Sequence, residues 1–243
     1  MDDYQPQKSF GGDTAATYDD DPRGDESQTV AFLEQLARGG PVLELAIGTG
    51  RIAIPLAARG LAVDGIDFSP EMVARLRAKP GGATIPITMG DFAEVGVPGS
   101  YPLIYLVYNT LFNLLTQDDQ VRCFENVAAH LTDDGSFVVE AFVPSFLYRL
   151  RDDQYVDAEA IKMSEVWLDV GRHDAATQRL EETHVVLSST GVRLYPIVSR
   201  YSWPSELDLM ARVAGLRLRN RWGGWNQEPF DTNSSWHVSV YGR

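Results

Sequence analysis

The sequence is short of basic residues and of long apolar stretches. Lysine and arginine total 21 against 34 aspartate and glutamate residues, which gives a formal net charge of -13. Nucleic acids and anionic membranes would repel such a chain, so its charge argues against both as partners and favours a small-molecule ligand. No apolar run is long enough to cross a bilayer, and the polar start of the sequence is unlike a secretory signal.

Cysteine and histidine are also scarce. Because Cys123 is the one cysteine, no disulfide can form within the chain, and a reducing compartment, the cytoplasm, is the expected location. Cys123 falls in a helical apolar pattern and is predicted to pack in the core instead of acting as a nucleophile. The four histidines have no cysteine or carboxylate partners at ligand spacing, so no metal site is predicted.

What the sequence does have is a strand, a glycine turn and a helix in direct succession, between residues 41 and 60. Residues 41–46 form a short apolar run that predicts a buried parallel strand. Gly48 and Gly50, on either side of Thr49, can adopt positive φ and let a ligand approach the backbone. A helix from residue 51 would begin beside that ligand. The stretch therefore predicts a nucleotide-binding unit in an α/β fold.

Two classes of ligand fit this unit. The spacing Gly48-x-Gly50-x-x-Ala53 matches the dinucleotide fingerprint, with Asp67 placed to hold a ribose hydroxyl. However, Glu44 puts a carboxylate inside the strand, where it would repel a diphosphate and attract the ammonium and sulfonium of S-adenosylmethionine (SAM). The sign of the charge favours SAM over NAD.

Three motifs in order then resemble those of the class I SAM-dependent methyltransferases. They are ELAIGTG at 44–50, with Ala46 where a first glycine is common, then DFSPEM at 67–72, then GDF at 90–92. The resemblance implies a Rossmann-like, doubly wound, mostly parallel seven-stranded sheet and SAM as cofactor. It implies cofactor contacts for Tyr18, Glu44, Ala46, Gly48, Thr49, Gly50, Asp67, Phe68, Met72, Asp91, Phe92 and Asn109.

Some of these residues have specific expected roles. Asp91 would accept a hydrogen bond from the adenine amino group, and the ring of Phe92 would pack on the base. Asn109 follows the fourth predicted strand, at the edge where ligands bind in open parallel sheets. In the resembled family an N-terminal segment often folds over the cofactor, so residues 1–27 are predicted to form a lid with Tyr18 near the SAM carboxylate or methyl group.

Residues 28–243 are predicted to form one domain, interrupted by an antiparallel insertion at 155–202. Three stretches rich in β-branched and aromatic residues, 160–170, 178–188 and 192–202, predict three strands there. The layout resembles the sugar N-methyltransferases of antibiotic pathways, in which such an insertion covers the acceptor pocket. This resemblance implies a small-molecule acceptor, without nucleic acid or membrane, and a monomer or homodimer.

The acceptor chemistry is less constrained by the sequence. Glu140, in the fifth predicted strand, could orient an amine or take its proton, or it could be paired structurally. His184 could be a general base or an ordinary strand histidine. N-methylation and O-methylation stay open at this point. So do two other functions, an NAD-dependent oxidoreductase and a non-catalytic SAM-binding protein.

Overall fold

The computed structural model describes residue 4, residues 9–20 and residues 23–243. Within them, a seven-stranded sheet in the order β10-β11-β5-β4-β1-β2-β3 has parallel pairing from β5 to β3 and antiparallel pairing at β10 and β11. Its strands are β1 (Val42–Leu45), β2 (Val63–Asp67), β3 (Ile87–Met89), β4 (Tyr101–Leu106), β5 (Leu131–Phe142), β10 (Arg217–Trp222) and β11 (Trp236–Gly242). The predicted α/β class and the mostly parallel sheet are confirmed.

Helices flank this sheet and bury apolar faces against it. They are α1 (Gly12–Thr17), α2 (Glu26–Ala37), α3 (Ala53–Ala58), α4 (Pro70–Ala78), α5 (Gln117–His130) and α6 (Pro204–Val213). Ser69 caps α4 by accepting a hydrogen bond from Met72 N at 3.2 Å, and Pro70 occupies the first helical position, where its missing N–H costs no hydrogen bond. Cys123 lies on the buried side of α5, which confirms its packing role.

The insertion is a separate antiparallel sheet with four strands in consecutive order, and the prediction of three was wrong. The strands are β6 (Gln154–Ile161), β7 (Glu165–Asp174), β8 (Arg179–Ser188) and β9 (Gly191–Arg200). The predicted strand at 160–170 is divided by a turn at 162–164. The missed strand, β6, is mostly exposed. Val156, Ala158 and Ala160 alternate with acidic residues, but alanine has little preference for strands, so the signal is weak.

Two further local predictions were wrong. The sequence predicts a helix capped by Ser27, but the helix begins at Glu26 with Asp25 before it, so Ser27 lies inside the helix. The apolar run at 102–108 predicts the fourth strand, but that strand ends at Leu106, and Tyr108 belongs to the turn that follows.

Arg200, at the end of β9, connects the insertion to the main sheet's helices. Its buried guanidinium donates to Gln120 Oε1 at 2.9 Å on α5 and to Glu206 Oε1 at 2.8 Å on α6. It also donates to Gln178 Oε1 at 3.0 Å and Ser202 Oγ at 3.0 Å. These bonds fix the base of the insertion to two helices of the main sheet, and the prediction of a single domain over 28–243 stays a prediction.

Candidate active site

The glycine turn after β1 has an unusual backbone that exposes its main-chain atoms. Ala46, Gly48 and Gly50 have φ values of 55°, 56° and 78°, in the left-handed region that favours glycine. A side chain built on Gly48 would find one neighbour among the described residues, the Ala46 carbonyl oxygen at 4.0 Å. A Cβ atom built on Gly50 would lie 2.9 Å from Leu76 Cγ. Gly48 therefore leaves room for a ligand, whereas Gly50 allows α4 to pack closely.

Asp67 joins the loops that follow β1 and β2. One carboxylate oxygen accepts from Gly48 N at 2.7 Å and the other from Ser69 N at 2.8 Å. Burial raises the pKa of Asp67 above its ordinary value, and these N–H donors act in the opposite direction. Asp67 thus sets the geometry of the glycine turn in addition to any contact with a ribose, and each oxygen keeps a lone pair for a ligand.

Glu44 lies beneath this turn and is buried. Its Oε2 accepts from the Tyr105 hydroxyl at 3.0 Å. Burial raises the pKa of Glu44 to about 8, although Tyr105 and the charge of Arg51 lower it. The full negative charge that the sequence argument assigned to Glu44 is therefore only partly present at neutral pH, and a bound ammonium would increase it.

The second and third motifs lie beside this turn. Phe68 is half-buried and contacts Phe10 edge-on, with ring centroids 6.2 Å apart, while Met72 is buried. Asp91 is exposed, and its Oδ1 accepts from Ala93 N at 2.8 Å. Phe92 is buried in the hydrophobic core. Their adenine contacts stay predictions.

The N-terminal segment lies on these loops. Asp19 accepts from the Thr49 hydroxyl at 2.7 Å and pairs with Lys79 at 2.8 Å. The Ser69 hydroxyl donates to the Phe10 carbonyl at 2.7 Å, and Tyr18 accepts from Arg23 at 3.1 Å. Part of the predicted lid, residues 1–3, 5–8 and 21–22, lies outside the described residues. The placement of the rest agrees with a lid, and the lid function stays a prediction.

Glu140, on β5, is buried next to the turn that follows β4. Its Oε2 accepts from Tyr108 N at 2.7 Å, and its Oε1 accepts from Trp225 Nε1 at 2.7 Å. Burial raises the pKa of Glu140. Asn109 Oδ1, in the same turn, accepts from Phe142 N at 2.7 Å. Both side chains therefore hold backbone in place at the carboxyl ends of β4 and β5.

His184 lies on one face of the insertion sheet, which we call the inner face. That face is defined by Tyr155, Glu159, Asp169, Glu182 and His184. His184 Nδ1 lies 3.0 Å from Glu159 Oε1. Two residues before Glu182 on the same strand, Leu180 is fully buried in the main core, so this face of β8 points inward.

The carboxylates of the inner face share donors and titrate unusually. The Tyr155 hydroxyl lies 2.7 Å from Glu182 Oε1 and 3.0 Å from Asp169 Oδ2. Burial raises the pKa of Glu182 to about 7, with a further contribution from the charge of Asp169. Sequence reasoning identified only His184 here. The alternation of Glu182 and His184 along one strand could have indicated Glu182 as well.

The residues after β1 and β2 fit SAM. The open backbone at Gly48 and Ala46 suits a ligand that approaches closely, and the Asp67 oxygens suit ribose hydroxyls. Phe68 and Met72 provide apolar surface nearby. No group of three or more side chains suited to a metal ion occurs in the part of the chain that the structure describes.

Comparison with known proteins identifies the family of this chain. The family model of a methyltransferase domain matches residues 42–135. The solved structure of the CcbJ methyltransferase from Streptomyces caelestis is 37% identical, covers 98% of this chain and 99% of its own, and superposes with a TM-score of 0.92. The chain belongs to the SAM-dependent methyltransferases, which replaces the oxidoreductase alternative.

The names of two more distant relatives mention the acceptor of those enzymes. The cypemycin N-terminal methyltransferase of a Streptomyces species is 24% identical over 196 residues, which is 81% of this chain and 80% of the relative. The SAM-bound CalS10 of Micromonospora echinaspora, an amino pentose methyltransferase of calicheamicin biosynthesis, is 19% identical with a TM-score of 0.69, covering 93% of this chain and 94% of its own. At that identity CalS10 is similar in fold alone.

Proposed function

We propose that the protein methylates an amine nitrogen of a small molecule. The observation that carries the proposal is the inner face of the insertion, where Glu159, Asp169 and Glu182 place three carboxylates with Tyr155 and His184. Carboxylates in a partly buried setting bind an ammonium group and would repel an anionic acceptor. The names of the cypemycin and amino pentose enzymes agree with an amine acceptor.

The chemistry places few demands on the protein. When bound, SAM supplies a methyl group already activated by its sulfonium, so alignment of the acceptor provides most of the acceleration. An amine must be unprotonated to attack. A carboxylate with a pKa of about 7, such as Glu182, can accept the acceptor's ammonium proton near neutral pH. The turn that follows β1 holds the donor, and the inner face holds the acceptor.

Acceptor screening on Glu182→Gln tests this function. A panel of amino sugars and peptide N-terminal amines, with their hydroxyl analogues, is incubated with SAM and analysed by mass spectrometry. We expect methylation of amines only, and an acceptor KM that rises about tenfold or more in the variant as a charged partner is lost. Because the Glu182 carboxyl is charged only above its pKa, wild-type amine affinity should fall below pH 7, and the variant should lose this dependence.

Glu181→Gln is the matched control, since Glu181 is the adjacent residue and pairs with Arg172 at 2.7 Å on the exposed side. Its kinetics should equal those of the wild type. Methylation of hydroxyl analogues, or an acceptor KM that ignores Glu182, would contradict the proposal.

Several other inferences from the sequence stay predictions. Among residues 4, 9–20 and 23–243, no helix is both long and apolar enough to cross a membrane. The cytoplasmic location, the monomer or homodimer and the lid stay predictions. His184 and Glu140 stay predicted catalytic residues at this point.

A further inference from the structure

The turn after β4 contains two consecutive residues in a strained backbone conformation. Tyr108 and Asn109 have φ values of 55° and 59°. A residue other than glycine in this region costs on the order of 1–3 kcal/mol and persists only where its surroundings hold it. Such positions cluster at functional sites.

Glu140 supplies much of the restraint. Its side chain accepts from Tyr108 N at 2.7 Å, and its backbone carbonyl accepts from Asn109 N at 3.1 Å. Asn109 Oδ1 in turn accepts from Phe142 N, also on β5, at 2.7 Å. The other Glu140 oxygen accepts from Trp225 Nε1. Both carboxylate oxygens are thus engaged by fixed donors that point at them.

The turn displays the ring of Tyr108 where four parts of the molecule meet. Tyr108 is 39% exposed, and its ring stacks on Trp236 of β11, with centroids 6.0 Å apart and an interplanar angle of 24°. The guanidinium carbon of Arg23, at the end of the N-terminal segment, lies 3.0 Å from the ring centroid, and that of Arg51, after the glycine turn, lies 5.9 Å away.

The inner face also lies near this ring. Burial raises the pKa of Tyr108, Arg23 lowers it, and the charges of Tyr18 and Glu159 raise it further. Glu159 belongs to the inner face, and β9 of the same insertion sheet packs against residues 110–113, directly after Tyr108 and Asn109. Tyr108 therefore lies close both to the donor loop, through Arg51, and to the insertion that carries the carboxylates assigned to the acceptor. This is the region where donor and acceptor must approach each other.

We propose that the ring of Tyr108 binds the cationic amine of the acceptor, that Arg23 covers this ring when no acceptor is bound, and that Glu140 is a positioning residue. The inference rests on the proposed amine methylation. An aromatic face attracts a cation, and Arg23 already shows that this face accommodates one. Proton transfer is not assigned to Glu140, because the residue is buried and protonation would weaken the hydrogen bonds that its two oxygens accept from Tyr108 N and Trp225 Nε1.

Choline binding tests the role of the ring without any turnover. Choline and its uncharged isostere 3,3-dimethylbutan-1-ol are titrated into the protein saturated with S-adenosylhomocysteine, and binding is followed by NMR. We expect choline to bind at least fivefold more tightly than the isostere. Tyr108→Phe should keep this preference, Tyr108→Leu should lose it, and Arg23→Ala should bind choline more tightly because a competing cation is removed.

Phe230→Leu is the control, since Phe230 also has an arginine near its ring, Arg221 at 5.6 Å. It should bind choline as the wild type does. Equal choline binding by Tyr108→Leu and the wild type, or weaker binding by Arg23→Ala, would overturn the inference.

Glu140→Gln and Glu140→Asp test positioning against base catalysis. A general base would give the wild type an ascending acid limb in kcat/KM that Glu140→Gln removes, while Glu140→Asp would keep part of the rate. A positioning residue predicts that both variants weaken choline binding and raise acceptor KM at least fivefold, with an unchanged pH profile. Thermal melting verifies that the variants are folded, and Glu140→Asp serves if Glu140→Gln is not.

The two proposals fail separately. Choline binding that depends on Tyr108 supports the ring's role whatever the methylation screen finds. Amine methylation with choline binding that ignores Tyr108 would overturn this inference and leave the proposed function intact.

Discussion

The donor side and the acceptor side of this site use carboxylates in different ways. On the side proposed for the donor, Asp67 is buried and accepts hydrogen bonds from backbone N–H groups, so it fixes the paths of two loops; Glu140 does the same for the turn at Tyr108, between the two proposed sides. On the acceptor side, Glu182 and Asp169 share a tyrosine hydroxyl on a sheet face. Carboxylates of the first kind define geometry, whereas those of the second kind define the charge that a ligand meets.

The two groups of carboxylates belong to one site only if the main sheet and the insertion unfold together, and Arg200→Met tests whether they do. Removing one partner of a buried ion pair leaves the other uncompensated, so the free energy of unfolding should fall by about 3–5 kcal/mol in a single transition. Urea unfolding followed by both far-UV circular dichroism and tryptophan fluorescence measures it.

Arg59→Met is the control for Arg200, because Arg59 pairs with Glu34 at 2.6 Å with both side chains largely exposed. A loss below about 1 kcal/mol is expected there. Two separate transitions in Arg200→Met would show that the insertion unfolds independently.

Asp67→Ala should affect the donor side alone. Two charge-assisted hydrogen bonds, each contributing about 1.5–3 kcal/mol, hold the loops after β1 and β2, so SAM affinity should fall about 100-fold or more. Calorimetric titration with SAM measures the loss. Asp64→Ala, on the same strand but bonded to the Tyr101 hydroxyl at 2.8 Å, should change it little. SAM affinity within threefold of wild type in Asp67→Ala would sink the prediction.

Glu44→Gln tests whether the pH dependence of SAM affinity comes from Glu44. Without cofactor the pKa of Glu44 is about 8, and the SAM ammonium should lower it, so binding should release a proton. Affinity should then rise with pH by up to tenfold per unit below pH 8 and level off above it. The ratio of wild-type to Glu44→Gln affinities, measured between pH 6 and 9, cancels the cofactor's own titration; a constant ratio would refute the prediction.

Tyr155→Phe should give the smallest effect. The hydrogen bond from Tyr155 lowers the pKa of Glu182, so its removal should raise that pKa, and the pH at which amine affinity falls should move upward by a fraction of a unit. The acceptor KM measured against pH reports this shift. Tyr101→Phe, which removes a hydroxyl bonded to Asp64 away from the acceptor side, should leave the profile unchanged, and a downward shift in Tyr155→Phe would contradict the assignment.

The sequence predicted the donor side better than the acceptor side for a physical reason. The turn at Gly48 and Gly50 needs backbone conformations that few residues allow, so its sequence is constrained and readable. Tyr108 and Asn109 adopt a similar backbone without glycine, and their restraint comes from Glu140, some 30 residues later in the chain. No local pattern reports such a contact.

The sequence could predict only part of the inner face, for a different reason. Strand alternation places Glu182 and His184 on one side of β8, but which side turns inward depends on how Leu180 docks into the core. β6 was missed because it is mostly exposed and its apolar positions include two alanines, which have little preference for strands. The carboxylate pair with Tyr155 forms only when β6, β7 and β8 lie together, which is a property of tertiary structure.

The bonds of Arg200 also bear on how this enzyme could be re-engineered. Transplanting residues 154–200 from a relative would be a natural way to exchange acceptor preference, since the segment is contiguous in sequence. Its last residue, however, is bonded to Gln120 and Glu206, which lie outside the segment. A functional chimaera must therefore carry these two helix residues together with the insertion, so the exchangeable module is discontinuous.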